Sequence, residues 1–521
     1  MADVEGGIPE WTEQDESQGL DPLGMQSTSI ALYQWLLPGI SNVTLRMRYY
    51  ALHTWLTAEY ARARHSADVE EWCRFLRRSE ALYALIVHHN TQDSGVAGTR
   101  WAKRKLDLLK GDLVLFSENT DRQNNSQYLK QKFGAFGAAY SSQLLELGLI
   151  EQAQGHSIPL ASRTSGQALA FTFATEIQTF GYQFLQAVQD GSVSLEGLSQ
   201  MGSIAPSGIA EDSFERQMYE KILFAAGAPP DSRAARRRAT LRLVLHTAQE
   251  LQRSPTPDDV RWASYSGFDD HGEPLPALNG ADADHRYRWR VYHANDMLHV
   301  CHESLLRFSL EVLREFPGGI ALDTLLREVV GRLLSVPEQV PSTWADLEDS
   351  VTVQDNAWSE EPDTEWLLVK TLLDVRFEAP FTASIAYQAL KLLAVLSKRL
   401  RPECDQIAKV LMPARHDTSQ TIFTEPQFLW TRKDLPIEQA LAQLIRKRVL
   451  DRHLSVAFQK MRAGDYTFLF EVDEGRLRFR QKAGPVLTNP RLGPAIQFLH
   501  DIHLLKVDGI THAGLRMAGY A

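Results

Sequence analysis

Three arginines near the C-terminus have the side-chain type and spacing that phosphate binding requires. Arg476, Arg478 and Arg480 occupy alternate positions of a segment, 467–481, in which apolar and polar residues alternate across a turn at 473–475. This pattern predicts a β-hairpin, and side chains two residues apart on a strand share one face. Three guanidinium groups on one face could form bidentate hydrogen bonds with phosphate oxygens. The sequence therefore predicts a nucleic-acid contact at this hairpin.

Further basic and polar residues are candidates for the same contact. Beside the hairpin are Lys482, Arg491 and Lys506; an earlier segment offers Lys130, Lys132, Ser141, Gln143 and Arg163; and an arginine-rich helix start offers Arg236, Arg237 and Arg238. Two other interpretations stay open. Arginines on a solvated strand also protect a sheet edge from aggregation, and the arginine-rich helix start is better explained by a solvated face or an intramolecular match for acidic segments than by phosphate binding.

Two histidines raise the possibility of a metal site. His299 and His302 are three residues apart on a predicted helix, close to Asp296 and Glu303. Imidazole and carboxylate are common zinc and manganese ligands, but the sequence lacks HExxH, and an amphipathic helix with histidines on its polar face explains the same spacing. No Walker, GxSxG or GxGxxG motif occurs. We therefore expect no cofactor and assign no catalytic residue.

Hydrophobic periodicity predicts that helices position most of these residues. Residues 68–90 form one predicted helix, and the charged residues opposite its apolar stripe should face solvent: Glu70, Glu71, Arg74, Arg77, Arg78 and Glu80. Gly148 suits the left-handed position just beyond a helix end, and another helix is predicted over 435–462. Strand is expected only in two small hairpins, near 156–164 and 467–482. The predicted fold class is mainly α.

Composition limits the possible functions. The 521 residues, 44% hydrophobic and 23% charged, are typical of a globular chain with several domains, and the net charge of −10 excludes a polycation that coats nucleic acid or membranes. Three dispersed cysteines fit neither a disulfide framework nor a four-cysteine zinc site. The acidic N-terminus differs from a secretory signal, and no apolar run is long enough to span a membrane. We expect a cytoplasmic protein.

Two segments, about 127–188 and 465–521, share an order of elements. In each, a helix is followed by "LGLI" or "IHLL", a short hairpin, a threonine, and a glycine before the next helix. This order resembles winged helix-turn-helix domains. The resemblance implies that the first helix is a recognition helix and that the hairpin is a wing. Winged helices bind nucleic acids, and they also serve as protein-docking modules.

The resemblance divides the chain into a multi-domain helical protein with two winged-helix-like modules. The expected domains are an N-terminal helical domain (1–115), a winged-helix-like domain (116–188), a central helical domain (189–335), an acidic linker (336–366), a helical domain (367–462) and a C-terminal winged-helix-like domain (463–521).

The chain is also similar in general character to large helical bacterial proteins, including components of mobile-element and phage-defence systems. The likeness lies in LYQWLLPGISNVTLRMRYY near the N-terminus, WRVYHANDMLHVCHESLL in the centre and the C-terminal hairpin. It implies a bacterial nucleic-acid-binding subunit, with double-stranded DNA as the expected target, or an adaptor subunit beside other proteins. The alternative is a metal-dependent nuclease or other metal-dependent enzyme, and of the two classes we expect the non-enzymatic one.

Overall fold

A computed structural model describes residues 21–64, 67–121, 127–153, 156–412 and 420–520. Within these ranges, helices account for most of the structure and strands occur only in small antiparallel sheets. The predicted mainly α, multi-domain class is confirmed. The chain forms two compact units: unit 1 contains residues 37–256 and 491–520, and unit 2 contains residues 21–36 and 257–490. No helix in the described ranges is both long and apolar enough to cross a membrane.

Unit 1 is built around two helices: Arg48–Arg64 packs mainly against Ser165–Ile177, and Val69–Asn90 packs against Thr99–Asp107 and Thr179–Asp190. Its helices, numbered along the chain, are α2 (Arg48–Arg64), α3 (Val69–Asn90), α4 (Thr99–Asp107), α5 (Ser117–Thr120), α6 (Ser141–Glu146), α7 (Ser165–Ile177), α8 (Thr179–Asp190), α9 (Leu195–Gln200), α10 (Phe214–Phe224), α11 (Arg233–Leu251), α22 (Leu492–Asp501) and α23 (His512–Ala518). A π-helical turn, Phe136–Tyr140, precedes α6, and two 3₁₀ turns occupy Gly202–Ile204 and Pro206–Gly208.

Unit 2 is organised by one long helix, Gly280–Arg314, which contacts the helices Gln26–Leu36, Pro257–Ser266, Leu322–Leu334, Glu365–Leu373 and Ala383–Leu400. Its helices are α1 (Gln26–Leu36), α12 (Pro257–Ser266), α13 (Gly280–Arg314), α14 (Leu322–Leu334), α15 (Trp344–Ser350), α16 (Glu365–Leu373), α17 (Ala383–Leu400), α18 (Cys404–Leu411), α19 (Thr424–Trp430), α20 (Ile437–Leu444) and α21 (Asp451–Arg462). A 3₁₀ turn covers Arg401–Glu403, and a π-helical segment, Ile445–Leu450, joins α20 to α21. The long helix predicted over 435–462 is thus present.

Strands are more widely distributed than the sequence predicted. Unit 1 contains the antiparallel pairs β1 (Leu113–Leu115) with β4 (Ser192–Ser194), β2 (Ile150–Glu151) with β3 (Leu160–Ala161), and β8 (Leu505–Lys506) with β9 (Gly509–Ile510). Unit 2 contains a three-stranded sheet in the order β5 (Ile320–Ala321), β7 (Arg476–Phe479), β6 (Phe470–Asp473). The prediction of strand in only two hairpins was wrong, because several strands are two or three residues long and pair with distant segments.

The α3 helix corrects the prediction for two of its charged residues. The helix begins after Asp68, whose side chain caps it, and ends at Asn90, as its apolar spacing indicated. Arg77 and Glu80, however, are buried rather than solvated. Arg77 donates to the carbonyls of Thr120 and Leu129 at 3.0 and 2.9 Å. Other parts of the protein therefore pack on both sides of α3, and their backbone carbonyls accept the hydrogen bonds of the buried guanidinium.

Residues 336–366, for which the sequence suggested an acidic linker, contain α15 within unit 2. Trp344 and Leu347 of this helix are fully buried. Thr343 and Asp346 form a reciprocal capping box at its start, so one acidic residue of the stretch stabilises the helix N-terminus. The segment expected as a C-terminal module, 463–521, contributes β6 and β7 to unit 2 and α22, β8, β9 and α23 to unit 1.

Candidate functional site

Two arginines of the predicted row, Arg476 and Arg478, lie on β7, the middle strand of its sheet, and Arg480 directly follows this strand. Arg476, Arg478 and Arg480 are exposed. Arg478 forms an ion pair with Asp473 at 3.0 Å, and Arg480 forms one with Glu471 at 3.5 Å, both across the hairpin. Arg476 donates to the carbonyl of Gly319 at 3.4 Å. The row exists as predicted, but carboxylates on β6 balance its charge and would repel a phosphate.

The other three C-terminal cations belong to two different units. Lys482 lies beside Glu378 at 3.6 Å in unit 2. In unit 1, Lys506 lies 3.7 Å from Glu211, and Arg491 occupies the left-handed position that precedes α22. Both lysines therefore have an acidic neighbour.

In the first winged-helix-like segment, the predicted base-contacting side chains point into the protein. Ser141 is buried and donates to the carbonyl of Gly137 at 3.4 Å, and Gln143 is buried as well. The preceding π-helical turn places the ring of Tyr140 against Tyr49, with centroids 4.7 Å apart, so this side of the helix faces α2. Gly148 follows α6 with a φ of +68°, as predicted.

The cations predicted for this segment are dispersed. Lys132 forms an ion pair with Glu70 at 2.7 Å. Lys130 and Arg163 are exposed.

The arginine-rich start of α11 has an internal role. Buried Arg237 donates to the carbonyls of Leu223 and Ile222 at 3.0 and 2.6 Å, and Arg238 donates to the carbonyl of Ala225 at 2.9 Å. These carbonyls end helix α10, where backbone acceptors have no partner within the helix. Burial lowers the pKa of Arg237 to about 10. Arg236 donates to the carbonyl of Asp231 at 2.6 Å. These three guanidinium groups bind backbone carbonyls.

The two histidines of α13 are also engaged internally, and in different directions. His299 Nδ1 lies 3.2 Å from Asp296 Oδ1, and its Nε2 lies 2.5 Å from the carbonyl oxygen of Val486. His302 contacts the carbonyl of Leu298 at 3.0 Å and Glu425 Oε2 at 3.2 Å. Among the described residues, no group of three or more His, Cys, Asp or Glu side chains is arranged to hold a metal ion.

Asp296 is the centre of a buried polar network in unit 2. It accepts hydrogen bonds from Arg261 Nη2 at 3.0 Å and from the Thr488 hydroxyl at 2.8 Å. Burial alone would raise the pKa of Asp296, but the charges of His299 and Arg261 and the hydrogen bonds from His299 and Thr488 outweigh burial and hold that pKa below its usual value. The network fixes the segment after β7 to α13, which is a structural role.

One cationic surface was missed by the sequence analysis. Helix α4 contains Arg100, Lys103, Arg104 and Lys105, and Lys110 follows it. The run RWAKRKLDLLKGD could have indicated this surface, because clustered lysine and arginine mark sites for acidic partners. Beside these cations, Leu108, Leu113 and Leu115 are exposed. A groove of about 520 Å³ lies between α4 and β1.

No protein-family model, no curated protein and no solved structure matches this sequence.

Proposed function

We propose that this protein is a protein-binding adaptor subunit of a multi-protein system. One observation supports this over nucleic-acid binding: most of the cations predicted to contact phosphate have internal partners. Arg237 and Arg238 bind the carbonyls that end α10, and Arg478 and Arg480 face carboxylates across their hairpin. Phosphate binding requires net positive charge at the contact, because affinity for duplex DNA comes largely from the release of counterions.

Exposed apolar side chains lie beside the charge-balanced hairpin. Phe458 on α21 and Tyr466 before β6 are both more than half exposed, and both rings contact Phe468, with centroid distances of 5.0 and 5.2 Å. Exposed aromatic side chains are typical of protein interfaces, where they contribute much of the binding energy. A neutral hairpin flanked by aromatic rings suits a protein partner better than a phosphate backbone.

The test is the salt dependence of duplex binding. We expect a fluorescein-labelled DNA duplex to bind weakly to the purified protein, with less than about a tenfold change in affinity between about 50 and about 200 mM salt, whereas six to ten phosphate contacts would change it by about 10³- to 10⁵-fold. Fluorescence anisotropy measures both values. The triple variant Arg476→Gln/Arg478→Gln/Arg480→Gln should behave like the parent protein.

A steep salt dependence that the triple variant reduces by about two to three units of slope would overturn the adaptor proposal. The matched control is Arg314→Gln, because Arg314 is an exposed arginine of unit 2 outside this hairpin. Equal losses in the control and triple variants would indicate diffuse charge attraction without a site at the hairpin, and would leave the protein-binding proposal in place.

A further inference from the structure

The groove between α4 and β1 combines apolar and cationic walls. We call it the α4–β1 groove and define it by Arg104, Lys105, Leu108, Lys110, Leu113 and Leu115, which line it. Leu108 is 80% exposed, Leu113 52% and Leu115 46%. Between the last two, Val114 points inward and is fully buried. Strand β1 therefore keeps its apolar contact with the protein through one residue and presents two leucines outward.

The charge of the groove is positive. Arg104, Lys105 and Lys110 form no ion pair with any residue in the described part of the chain, and Glu118 is the one carboxylate among the lining residues that the structure describes. This contrasts with the β6–β7 hairpin, where carboxylates face the arginines. Unpaired cations around apolar side chains favour a ligand that is both acidic and apolar.

Strand β1 has a sheet partner on one side. It pairs with β4 in a two-stranded sheet, in which Leu195 N–H donates to the Asp112 carbonyl at 2.8 Å and Phe116 N–H donates to the Gly191 carbonyl at 3.0 Å. Hydrogen-bonding groups of successive residues in a strand point to opposite sides. The N–H and C=O groups of Leu113 and Leu115 therefore point away from β4, where an added strand could pair with them.

We propose that the α4–β1 groove binds an extended, acidic segment of a partner protein, which adds to β1 as a third strand. Backbone hydrogen bonds to Leu113 and Leu115 would hold the strand, alternate apolar side chains would contact the leucines, and alternate carboxylates would face Arg104, Lys105 and Lys110. This inference rests on the proposed adaptor function and names the chemistry of one partner. A concave site lined by leucine fits a peptide better than it fits a flat lipid surface or a phosphate backbone.

The experiment uses full-length protein and a fluorescein-labelled peptide, Glu-Val-Glu-Leu-Asp-Leu-Glu-Val-Asp, with fluorescence anisotropy as the readout. We expect saturable binding that weakens by at least about tenfold in Lys105→Glu/Lys110→Glu, because like charges would then face each other. Lys103→Glu is the matched control and should change the affinity by less than about twofold, since Lys103 is exposed on the same helix but does not line the groove.

Strand addition has its own test. Leu113→Pro removes an N–H that points away from β4, so it should abolish peptide binding while the β1–β4 pair persists. A peptide with N-methyl groups on its valine and leucine residues should also fail to bind, because in an antiparallel pair the residues opposite Leu113 and Leu115 are the ones whose N–H groups face β1. Leu115→Glu, which places a carboxylate in the groove without changing the backbone donors, should weaken binding even if Leu113→Pro lowers stability. Circular dichroism confirms that each variant is folded.

Several results would overturn the inference. Equal binding of poly-glutamate and of the alternating peptide would leave only charge attraction. Unchanged affinity in Leu113→Pro and for the N-methylated peptide would exclude strand pairing. If anionic phosphatidylserine vesicles or duplex DNA bind instead, and Lys105→Glu/Lys110→Glu abolishes that binding, the groove serves a lipid or a nucleic acid. The adaptor proposal itself fails only if duplex binding has a steep salt dependence that the triple arginine variant of the hairpin reduces. The two failures are therefore distinguishable.

Discussion

Arg46 and Asp501 form a buried ion pair between the segment before α2 and the end of α22, 455 residues later in the sequence. Arg46 Nη2 lies 2.9 Å from Asp501 Oδ1, and the two side chains are 9% and 2% exposed. The same carboxylate accepts the backbone N–H of Met47 at 2.9 Å. Within unit 1, the C-terminal segment is therefore joined to the N-terminal helices by a charge pair with little access to water.

Removing one partner of this pair should strongly destabilise unit 1. We expect Asp501→Ala to lower the free energy of unfolding by about 3–5 kcal/mol, because Arg46 would remain buried without its counter-charge. Urea denaturation followed by circular dichroism measures the change. Lys506→Ala removes an exposed pair with Glu211 in the same unit and should cost less than about 1 kcal/mol. Similar losses of unfolding free energy in Asp501→Ala and Lys506→Ala would contradict the expectation that the buried ion pair matters more than the exposed one.

Gly134 is required by its contact with Glu80. A Cβ atom at Gly134 would lie 2.1 Å from Glu80 Oε2, and the residue has a φ of +59°. Glu80 accepts the N–H groups of Ala135 and Phe136, each at 2.7 Å, at the start of the π-helical turn. Gly134→Ala should displace this carboxylate and destabilise the protein by about 2–4 kcal/mol.

Gly148 provides the matched control for Gly134, because its φ is +68° and, among the described residues, no atom beyond its chain neighbours lies within 4 Å of its Cβ position. Gly148→Ala should cost only the conformational strain of about 1–2 kcal/mol. Comparing the thermal unfolding of the two variants separates the cost of the strained backbone from the cost of the steric clash with Glu80. Equal costs would mean that Glu80 moves without penalty.

The guanidinium of Arg237 should stabilise the end of α10. Arg237→Met keeps much of the buried aliphatic volume but leaves the carbonyls of Ile222 and Leu223 without their donor, which should cost about 1–3 kcal/mol. Arg233→Met, at a mostly exposed position of the same helix, should change stability by less than about 0.5 kcal/mol. Chemical denaturation compares the two. If Arg237→Met does not change the free energy of unfolding, water replaces the guanidinium as the donor to these two carbonyls.

Local sequence patterns were sufficient to predict the long helices and the β6–β7 hairpin. They were insufficient to predict which side chains are buried and where the groove lies. Helices α3 and α13 and the β6–β7 hairpin were predicted because their own apolar spacing specifies them. The β1–β4 pair was missed, since each strand has three residues and its partner is distant in sequence. The burial of Ser141 and Arg237 depends on neighbouring helices, which periodicity does not reveal. The cations of α4 were visible as a run, but the groove beside them exists only once β1 is in place.

The charge of His299 should make the stability of unit 2 depend on pH. Burial by itself lowers the pKa of His299, but the charges of Glu303 and Asp296 outweigh burial and raise that pKa to about 9. Both ring nitrogens lie near acceptors, the Asp296 carboxylate and the Val486 carbonyl, as an imidazolium requires. In the unfolded chain the pKa of histidine is about 6.5. The folded state therefore binds this proton more tightly.

The stability contributed by His299 is fully present below about pH 6.5 and is lost as the pH rises through about 9. Burial raises the pKa of Glu303 to about 7, so its ionisation is largely complete before the upper part of this window. We expect the free energy of unfolding to fall between about pH 7.5 and about pH 9.5 by at most about 3 kcal/mol.

His299→Gln should be less stable than the parent protein at pH 7.5 and should lose this slope, because glutamine does not titrate. Urea denaturation at four pH values gives both curves, and the difference between them removes the titration of exposed groups common to both proteins. Parallel curves would mean that His299 is neutral in the folded protein and that Asp296 depends on Arg261 and Thr488 alone.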